Sequence, residues 1–285
     1  MRFDHEGNLA PFNDRDPGDE TPGGTPYQGW REVFHGAAIG GAATTGGRGF
    51  HSGLCVAPNG EIWHNDMGGF KKENPRGMTM VYVHRPDGSL KKENAVALLP
   101  NGTCGIRVDR QGFVYLGVGA RGEAAAPGLS GPLQDCGHIM KMQPDAKCVY
   151  GEGPFRMMGH PPVPFNVEGL VWAWYGQHPL KESHGCVCSN SRLDLDDFAR
   201  VFVPQCYRGS VMVLDSNGNE ILRVGRYGNE NSRGRGSPVP EPEIAIAWAP
   251  YMAASDRALY VMDYANARIL QADLGYHVEE VVGVP

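Results

Sequence analysis

The fold of this chain is first visible in the stretch Arg192–Asn229, RLDLDDFARVFVPQCYRGSVMVLDSNGNEILRVGRYGN. Apolar and polar residues alternate there in four short runs, the pattern of half-buried β-strands. The runs contain the pairs Leu193 and Leu195, Val201 and Val203, Val211 and Val213, and Ile221 and Val224. Asn217 and Gly218 supply the positive-φ positions of a tight hairpin between the last two runs. We therefore predict a four-stranded antiparallel meander, which needs similar neighbours to bury its faces.

The same pattern recurs in three more copies along the chain. The second strands of all four copies align as GEIWHND from Gly60, GFVYLGV from Gly112, ARVFVPQ from Ala199 and ALYVMDY from Ala258. One aromatic residue occupies the same column in each copy: Trp63, Tyr115, Phe202 and Tyr260. The interval between the second and third columns is the longest, and we assign an insertion to residues 151–185. Such repetition predicts sheets that stack on one another as similar modules.

A family resemblance appears in the last copy, whose motif YVMDYANARIL contains Asp263, Asn266 and Arg268. This motif resembles the NHL repeat, whose units form the blades of a β-propeller. The resemblance covers about residues 50–285. It implies an all-β β-propeller with four full four-stranded antiparallel blades in this chain, and a β-sandwich of two stacked sheets is the alternative.

The N-terminal part does not match a full blade. Residues 1–13 contain RFDHEGNLAPF, which aligns with the hairpin around Asn217 and Gly218 and predicts a half-blade hairpin. Residues 14–49 contain PGDETPGG and GAAIGGAATTGG, a composition typical of a linker. Four blades and an orphan hairpin do not make a familiar closed ring. We therefore expect a fragment of a longer protein, or closure with another copy or a partner protein.

Composition limits the classes of function. The chain has 285 residues, of which 41% are hydrophobic, and its formal net charge is −6. Interspersed charges with this net sign argue against nucleic-acid binding, and no apolar run has the length of a membrane span. Seven cysteines leave at least one thiol outside any intrachain disulfide. The compartment is not fixed, although disulfides would favour the periplasm or the extracellular space.

A cluster of soft ligands is the strongest chemical signal. His184, Cys186 and Cys188 alternate along one segment, so on an extended chain they share a face, and Cys206 lies one strand away. Thiolates and an imidazole suit a transition metal such as zinc. A Cys188–Cys206 disulfide, or one between Cys136 and Cys148, explains the same residues without a metal.

The Asp215–Glu220 segment offers a weaker metal signal. It looks like half of a calcium-binding loop, but Arg226 stands where the loop would need a bidentate acid. A hairpin turn explains the segment fully, so calcium is less favoured than a transition metal.

Equivalent first-strand positions suggest a second site. Alignment of the copies places Arg107 and Asp194 in one column, with His51 four residues ahead of that column in the first copy. First strands surround the axis of a propeller. Arg107 and Asp194 could therefore form a buried pair between blades, or together with His51 and His184 could surround a small ligand at the channel mouth.

The insertion concentrates aromatic residues, namely Trp172, Trp174 and Tyr175, close to His178. Long loops on a rigid scaffold often carry function, so these four residues are predicted ligand contacts. The alternative is an aromatic plug that covers a blade edge.

These observations favour a non-enzymatic binding or assembly module. One alternative is a metal-dependent enzyme at the channel mouth, because NHL-type propellers include peptidyl-hydroxyglycine amidating lyases, which hold zinc through histidines. By that resemblance, His51 would correspond to a histidine that holds zinc, and Arg107 to the arginine that acts on the substrate. The remaining histidines do not match the lyase pattern. The third possibility is a structural subunit of a larger assembly or filament, joined through the N-terminal hairpin.

Overall fold

The computed structural model describes residues 50–67, 79–100, 102–122, 136–157, 163–178, 180 and 191–275. The predicted hairpin 1–13 and linker 14–49 lie outside these residues. The chain divides into two compact units, Met1–Leu193 and Asp194–Pro285. Nearly all regular structure in the described ranges is β-strand, with one short 3-10 turn at Cys206–Arg208. Within those ranges, no helix has the length and apolar character to cross a membrane.

The first sheet of the first unit is a four-stranded antiparallel meander, as predicted. Its strands, in sequence order and in spatial order, are β1 (Phe50–Val56), β2 (Ile62–Met67), β3 (Met80–His84) and β4 (Leu90–Glu93). Short side chains hold its turns: Asn59 Oδ1 accepts from the Glu61 N–H, and Asp87 Oδ1 accepts from the Ser89 N–H. These local hydrogen bonds are why Asn and Asp favour turns over strands.

The second sheet is longer and differs from the prediction. Its strands are β5 (Cys104–Val108), β6 (Val114–Val118), β7 (Ala120–Gly122), β8 (Gly137–Met157) and β9 (Val163–Gln177). β6 pairs with the first part of β8, β7 pairs with its end, and β9 pairs with β8 along most of its length. The segment 151–185 was expected to be an inserted loop, but its described strand residues complete this sheet instead. A four-residue bulge at 143–146 and the positive-φ Gly169 opposite it interrupt the strand period, which conceals β9 in the sequence.

The second unit contains the four strands of the predicted meander in Arg192–Asn229. Its strands are β10 (Asp194–Leu195), β11 (Val201–Gln205), β12 (Ser210–Leu214) and β13 (Glu220–Val224), in that order across the sheet. A short parallel pair, β14 (Arg226–Tyr227) and β15 (Ala245–Ile246), follows. The last described sheet has β16 (Tyr251–Ala254), β17 (Ala258–Asp263) and β18 (Arg268–Asp273). Its predicted fourth strand, in YHVEEVVGVP, lies outside the described residues.

Each unit has its own core between successive sheets. In the first unit, Val81, Leu116, Met140 and Phe165 belong to one buried cluster. In the second unit, Phe202, Val213, Leu259 and Val261 form another. β1 contacts β5, and β10 contacts β16, so the first strands of successive sheets adjoin within each unit. This arrangement confirms the predicted fold class, an all-β protein built from antiparallel β-propeller blades.

The three residues behind the family resemblance are joined in one buried network. Asp263 is fully buried, and its Oδ1 accepts from the backbone N–H groups of Ala247 and Trp248 at 3.0 and 3.1 Å. Its Oδ2 accepts from Asn266 Nδ2 at 2.7 Å and from Arg268 Nε at 3.2 Å. The motif therefore ties the β17–β18 turn to the segment that precedes the sheet.

Candidate functional site

Most of the predicted metal cluster cannot be placed, because His184, Cys186 and Cys188 lie outside the described residues. Cys206 is buried in the 3-10 turn after β11, and burial raises the pKa of its thiol to about 12. Cys206 is therefore a protonated thiol at neutral pH and forms no disulfide, while its role as a metal ligand stays a prediction. Among the described His, Cys, Asp and Glu side chains, no group of three is arranged to hold a metal ion.

The proposed disulfide between Cys136 and Cys148 is also wrong. The two residues are not joined by a disulfide bond. Burial raises the pKa of the Cys148 thiol to about 12, which keeps it protonated. Both cysteines are buried within the first unit, where a small apolar side chain packs well without any redox role.

Two of the predicted ligand residues, Arg107 and Trp172, lie in one row across the second sheet. In the register, Arg107 pairs with Tyr115, Tyr115 pairs with Lys141, and Lys141 pairs with Trp172. The rings of Tyr115 and Trp172 meet edge to face with their centroids 5.9 Å apart. The Arg107 guanidinium donates to the backbone carbonyl of Leu54 at 3.2 Å, which links β5 to β1. This row thus stabilises the contact between neighbouring sheets.

Asp109 holds the polar end of that row. Its carboxylate accepts from the Tyr115 hydroxyl at 2.9 Å, and Lys141 Nζ lies 3.6 Å away. Lys141 also lies over the ring of Phe113, 4.5 Å from its centroid. Burial and the negative charge of Asp109 raise the pKa of Tyr115 well above its ordinary value. Tyr115 is therefore a fixed hydrogen-bond donor and not a base.

The other aromatic candidates are strand residues of β9, whereas the sequence suggested a loop. The Tyr175 ring contacts the His138 ring with a centroid distance of 5.0 Å, and His178 is buried just beyond the strand end. His138 Nδ1 donates to the Ala120 carbonyl at 2.7 Å, and burial lowers the pKa of His138. Trp174 lies close over Gly176, where a Cβ would come within 2.7 Å of its ring. These contacts describe a packed sheet edge.

The two remaining candidates belong to first strands. His51 pairs with Asp66 in the register of β1 and β2. Asp194 Oδ2 accepts from the Ala254 N–H at 2.7 Å and so ties β10 to β16 within the second unit. Because Arg107 and Asp194 belong to different units, a pair between them stays a prediction, as does the channel-mouth site.

The structure adds a cavity that the sequence did not suggest. It has a volume of about 590 Å³ and lies at the turn end of the first unit. The first sheet contributes one wall, which includes Trp63, Val83 and Lys92. The second sheet contributes the other wall, through Val108 and the β8 bulge at 143–145. We call this space the Trp63 cavity.

Backbone hydrogen bonds fix the distance between the two walls. The Ala97 N–H donates to the Ala146 carbonyl at 2.9 Å, and the Cys148 N–H donates to the Ala97 carbonyl at 3.0 Å. The Tyr150 hydroxyl donates to the Leu98 carbonyl at 2.8 Å. The chain after β4 is thereby held against the strand that carries the bulge. Preformed walls of this kind are typical of ligand sites.

Trp63 is the most informative residue of the cavity. It is only 6% exposed, and its indole Nε1–H has no hydrogen-bond partner in the structure. A buried donor without an acceptor costs about 1–3 kcal/mol, and most buried indoles find a partner. The Nε1 atom is itself buried, so Trp63 lines the cavity through other atoms of its side chain.

Two lysines face the same cavity because of a β-bulge. Val83 pairs with Lys92, while His84 pairs with Leu90, so Lys91 is an extra residue in β4. The Lys91 ammonium pairs with the Glu61 carboxylate. Lys92 has no acidic partner among the described residues. Sequence reasoning missed this site because its residues come from two turns, two bulges and several strands. The adjacent lysines in a hairpin strand are its only local signal.

The sequence matches no protein-family model, and no curated protein matches it. Among solved structures, a virginiamycin B lyase from Staphylococcus aureus is 12% identical, with a TM-score of 0.33, over 78% of this chain and 69% of that chain. A gluconolactonase, XC5397 from Xanthomonas campestris, is 16% identical, with a TM-score of 0.37, over 78% of this chain and 56% of that one. The calcium-binding protein regucalcin from Agrobacterium tumefaciens is 13% identical, with a TM-score of 0.36, over 77% of this chain and 54% of that one.

The chain thus spans between 54% and 69% of the length of these three structures. The coarser part of the family resemblance, a β-propeller, is confirmed by the fold. Membership of the NHL family stays a prediction, since no family model matches.

Proposed function

We propose that this protein is a non-enzymatic, NHL-like binding module and that the Trp63 cavity holds its small-molecule ligand. The observation that carries the proposal is a cavity of about 590 Å³ between the two sheets of the first unit, with Trp63 among its lining residues. Ligand cavities commonly measure roughly 300–1,000 Å³ and combine apolar walls with a few well-placed polar groups. Val83 and Val108 provide apolar wall, and Lys92 provides a polar group.

Several buried titratable groups favour binding over catalysis. Burial raises the pKa of the thiols of Cys104, Cys148 and Cys206, so they are protonated and weakly nucleophilic. Tyr115 is likewise held as a donor by Asp109. The cavity wall includes no histidine, cysteine or serine among the residues that the structure describes. Such groups can shape a site, but none is poised as a nucleophile.

The metal-dependent enzyme remains the alternative, because His184, Cys186 and Cys188 lie outside the described residues. Elemental analysis of protein purified without a chelator tests it: stoichiometric zinc that is lost in a His184→Ala variant would favour it. Assembly through residues 1–13 is tested by the oligomeric state of a chain that lacks them. An unchanged mass would count against assembly.

The binding proposal is tested by blocking the cavity at its rim. Gln143 is exposed in the β8 bulge and lines the cavity, so Gln143→Trp would fill it without disturbing the core. Lys147→Trp is the matched control, because Lys147 is exposed on the same strand and does not line the cavity. The probes are benzoate, benzamide and benzyl alcohol, and the readout is the Trp63 indole resonance in ¹H–¹⁵N spectra.

We expect at least one probe to shift the Trp63 resonance saturably in the wild type and in Lys147→Trp, but not in Gln143→Trp. The probe should be recovered chemically unchanged. Two results would overturn the proposal: no probe moves the Trp63 resonance, or Gln143→Trp binds as the wild type does. Conversion of a probe would overturn its non-enzymatic part.

A further inference from the structure

We infer that the outer face of the last described sheet, formed by β16, β17 and β18, is a surface on which a second copy of this chain docks face to face. This surface belongs to the second unit and does not involve the Trp63 cavity. Its apolar side chains, its lack of charge and its exposed area all fit a two-fold contact between identical sheets.

Burial alternates along β17, which gives the sheet two different faces. Leu259 and Val261 are buried and belong to the core of the second unit. Tyr260 and Met262 project to the opposite side, and each is 41% exposed. Tyr264 follows at the strand end and is 68% exposed. One face of the strand is thus packed, and the other is open to solvent.

The register extends this outer face over three strands. Paired residues form two adjacent rows on this side, Tyr251–Met262–Ile269 and Ala253–Tyr260–Gln271. Residues in such a row project to the same side of a sheet. Ile269 is 74% exposed, more than any other large apolar residue in the described ranges. We call these six residues, together with Tyr264, the Tyr260 face.

The meander sheet shows how a fully covered sheet in this chain differs. All residues of β11 and β12 are buried, so both sides of that sheet are packed. In β17 only the inner side is packed, although the outer side carries aromatic and aliphatic residues of the same kind. Contiguous exposed apolar patches of several hundred Å² commonly mark interaction sites.

A second β-sheet is the partner that such a face fits. On the inner side of the same sheet, Leu259 and Val261 belong to one buried cluster with Phe202 and Val213 of the meander. Alternating apolar sheet faces pack on one another in this way, about 10 Å apart. The outer face presents the same alternation to solvent.

A second copy of the chain supplies a matching sheet without charge repulsion. The six residues of the two rows include no charged side chain. Two identical faces can therefore meet about a two-fold axis, the commonest symmetry of protein oligomers. Asp273 pairs with Ala258, one row beyond Tyr260, so its charge lies at the end of the face. A strongly charged partner would find no counter-charge in the two rows.

The exposed area matches that of a small specific interface. An aromatic side chain presents about 150–250 Å², so the exposed parts of Tyr260, Met262, Tyr264 and Ile269 amount to roughly 350–500 Å² per copy. With the remaining residues of the Tyr260 face, two copies in contact bury about 1,000 Å² in total, which is near the lower limit of a specific interface. We therefore expect a reversible dimer that dissociates on dilution.

The experiment measures the mass of the full chain by sedimentation velocity, from low micromolar to several hundred micromolar concentration. Ile269→Lys places a charge on the Tyr260 face. Gln271→Lys does the same at an exposed polar residue, so it leaves the core untouched. Ile221→Lys is the matched control, because Ile221 is 50% exposed on β13 of the same unit and lies outside the face. The Met262 methyl resonance of the wild type reports the contact directly.

We expect the mass to rise from one chain to two with concentration, and the Met262 resonance to shift over the same range. Ile269→Lys and Gln271→Lys should each raise the dissociation constant of the dimer about ten-fold or more, because an unpaired charge would be buried in the contact. Ile221→Lys should change it less than about two-fold.

Three results would overturn the inference. The chain stays a monomer at every concentration, with a fixed Met262 resonance. A dimer forms but tolerates both Ile269→Lys and Gln271→Lys, which would locate the contact elsewhere, such as residues 1–13. The mass rises beyond two chains, which would mean that the Tyr260 face meets a different surface of the next copy.

Discussion

The buried Asp263 network allows a quantitative prediction for the second unit. Asp263→Asn keeps the size of the side chain but replaces one carboxylate oxygen by an NH₂ donor and removes the negative charge. The new amide must face the backbone N–H groups of Ala247 and Trp248, or the side chains of Asn266 and Arg268. In either orientation two donors oppose each other in a site with no exposure to water.

The magnitude follows from these contacts. Removal of one member of a buried ion pair costs about 3–5 kcal/mol, because the remaining charge is left uncompensated. We therefore expect Asp263→Asn to lower the free energy of unfolding by about 3 kcal/mol or more, against a typical total of about 5–15 kcal/mol.

Urea unfolding followed by circular dichroism and tryptophan fluorescence measures this loss. With a urea dependence of about 1–3 kcal/mol per molar, the midpoint should fall by about 1–3 M. Asp215→Asn is the matched control, because Asp215 also accepts from Asn217 and Asn219 but is exposed to solvent. Its loss should be clearly smaller than that of Asp263→Asn, because water can replace the partners of an exposed carboxylate. Equal losses in the two variants would refute the reasoning.

Three further predictions concern other parts of the molecule. Burial lowers the pKa of His138 in the folded chain, so the unfolded chain binds a proton at this residue first as the pH falls below about 6.5. The free energy of unfolding should therefore drop from pH 7.5 to pH 5.5. His138→Gln should reduce that drop. A Cβ at Gly53 would lie 2.8 Å from the backbone of β5, whereas one at Gly275 meets nothing within 4 Å. Gly53→Ala should therefore lower the free energy of unfolding in urea by about 1–3 kcal/mol, and Gly275→Ala should leave it nearly unchanged. Burial keeps Cys148 and Cys206 protonated, so mass spectrometry should detect iodoacetamide adducts at both only after denaturation, and rapid labelling of the native chain at pH 8 would contradict their burial.

The repeated strands could be predicted because alternation of apolar and polar residues is local. The aromatic column from Trp63 to Tyr260 does mark the second strand of each sheet, at β2, β6, β11 and β17. The face that each aromatic residue occupies could not be predicted. Trp63 and Phe202 belong to the cores, whereas Tyr260 is 41% exposed, and its sheet uses Leu259 and Val261 instead. A shift of one residue moves a side chain to the opposite face.

The bulges explain the larger differences. Gly169 and the four residues opposite it break the period of β9, so the strand resembled a loop in the sequence. The same bulge builds one wall of the Trp63 cavity, and the bulge at Lys91 builds part of the other. Bulges depend on pairing between strands distant in sequence, which local patterns do not encode.

The indole N–H of Trp63, observed during a titration with benzoate, tests the central claim most directly. Its ¹H–¹⁵N resonance can be assigned by its loss in Trp63→Phe. The account predicts a saturable shift of this resonance, because Trp63 lines the cavity, with the other indole resonances little changed. A Trp63 resonance that stays fixed while another indole responds would contradict the account.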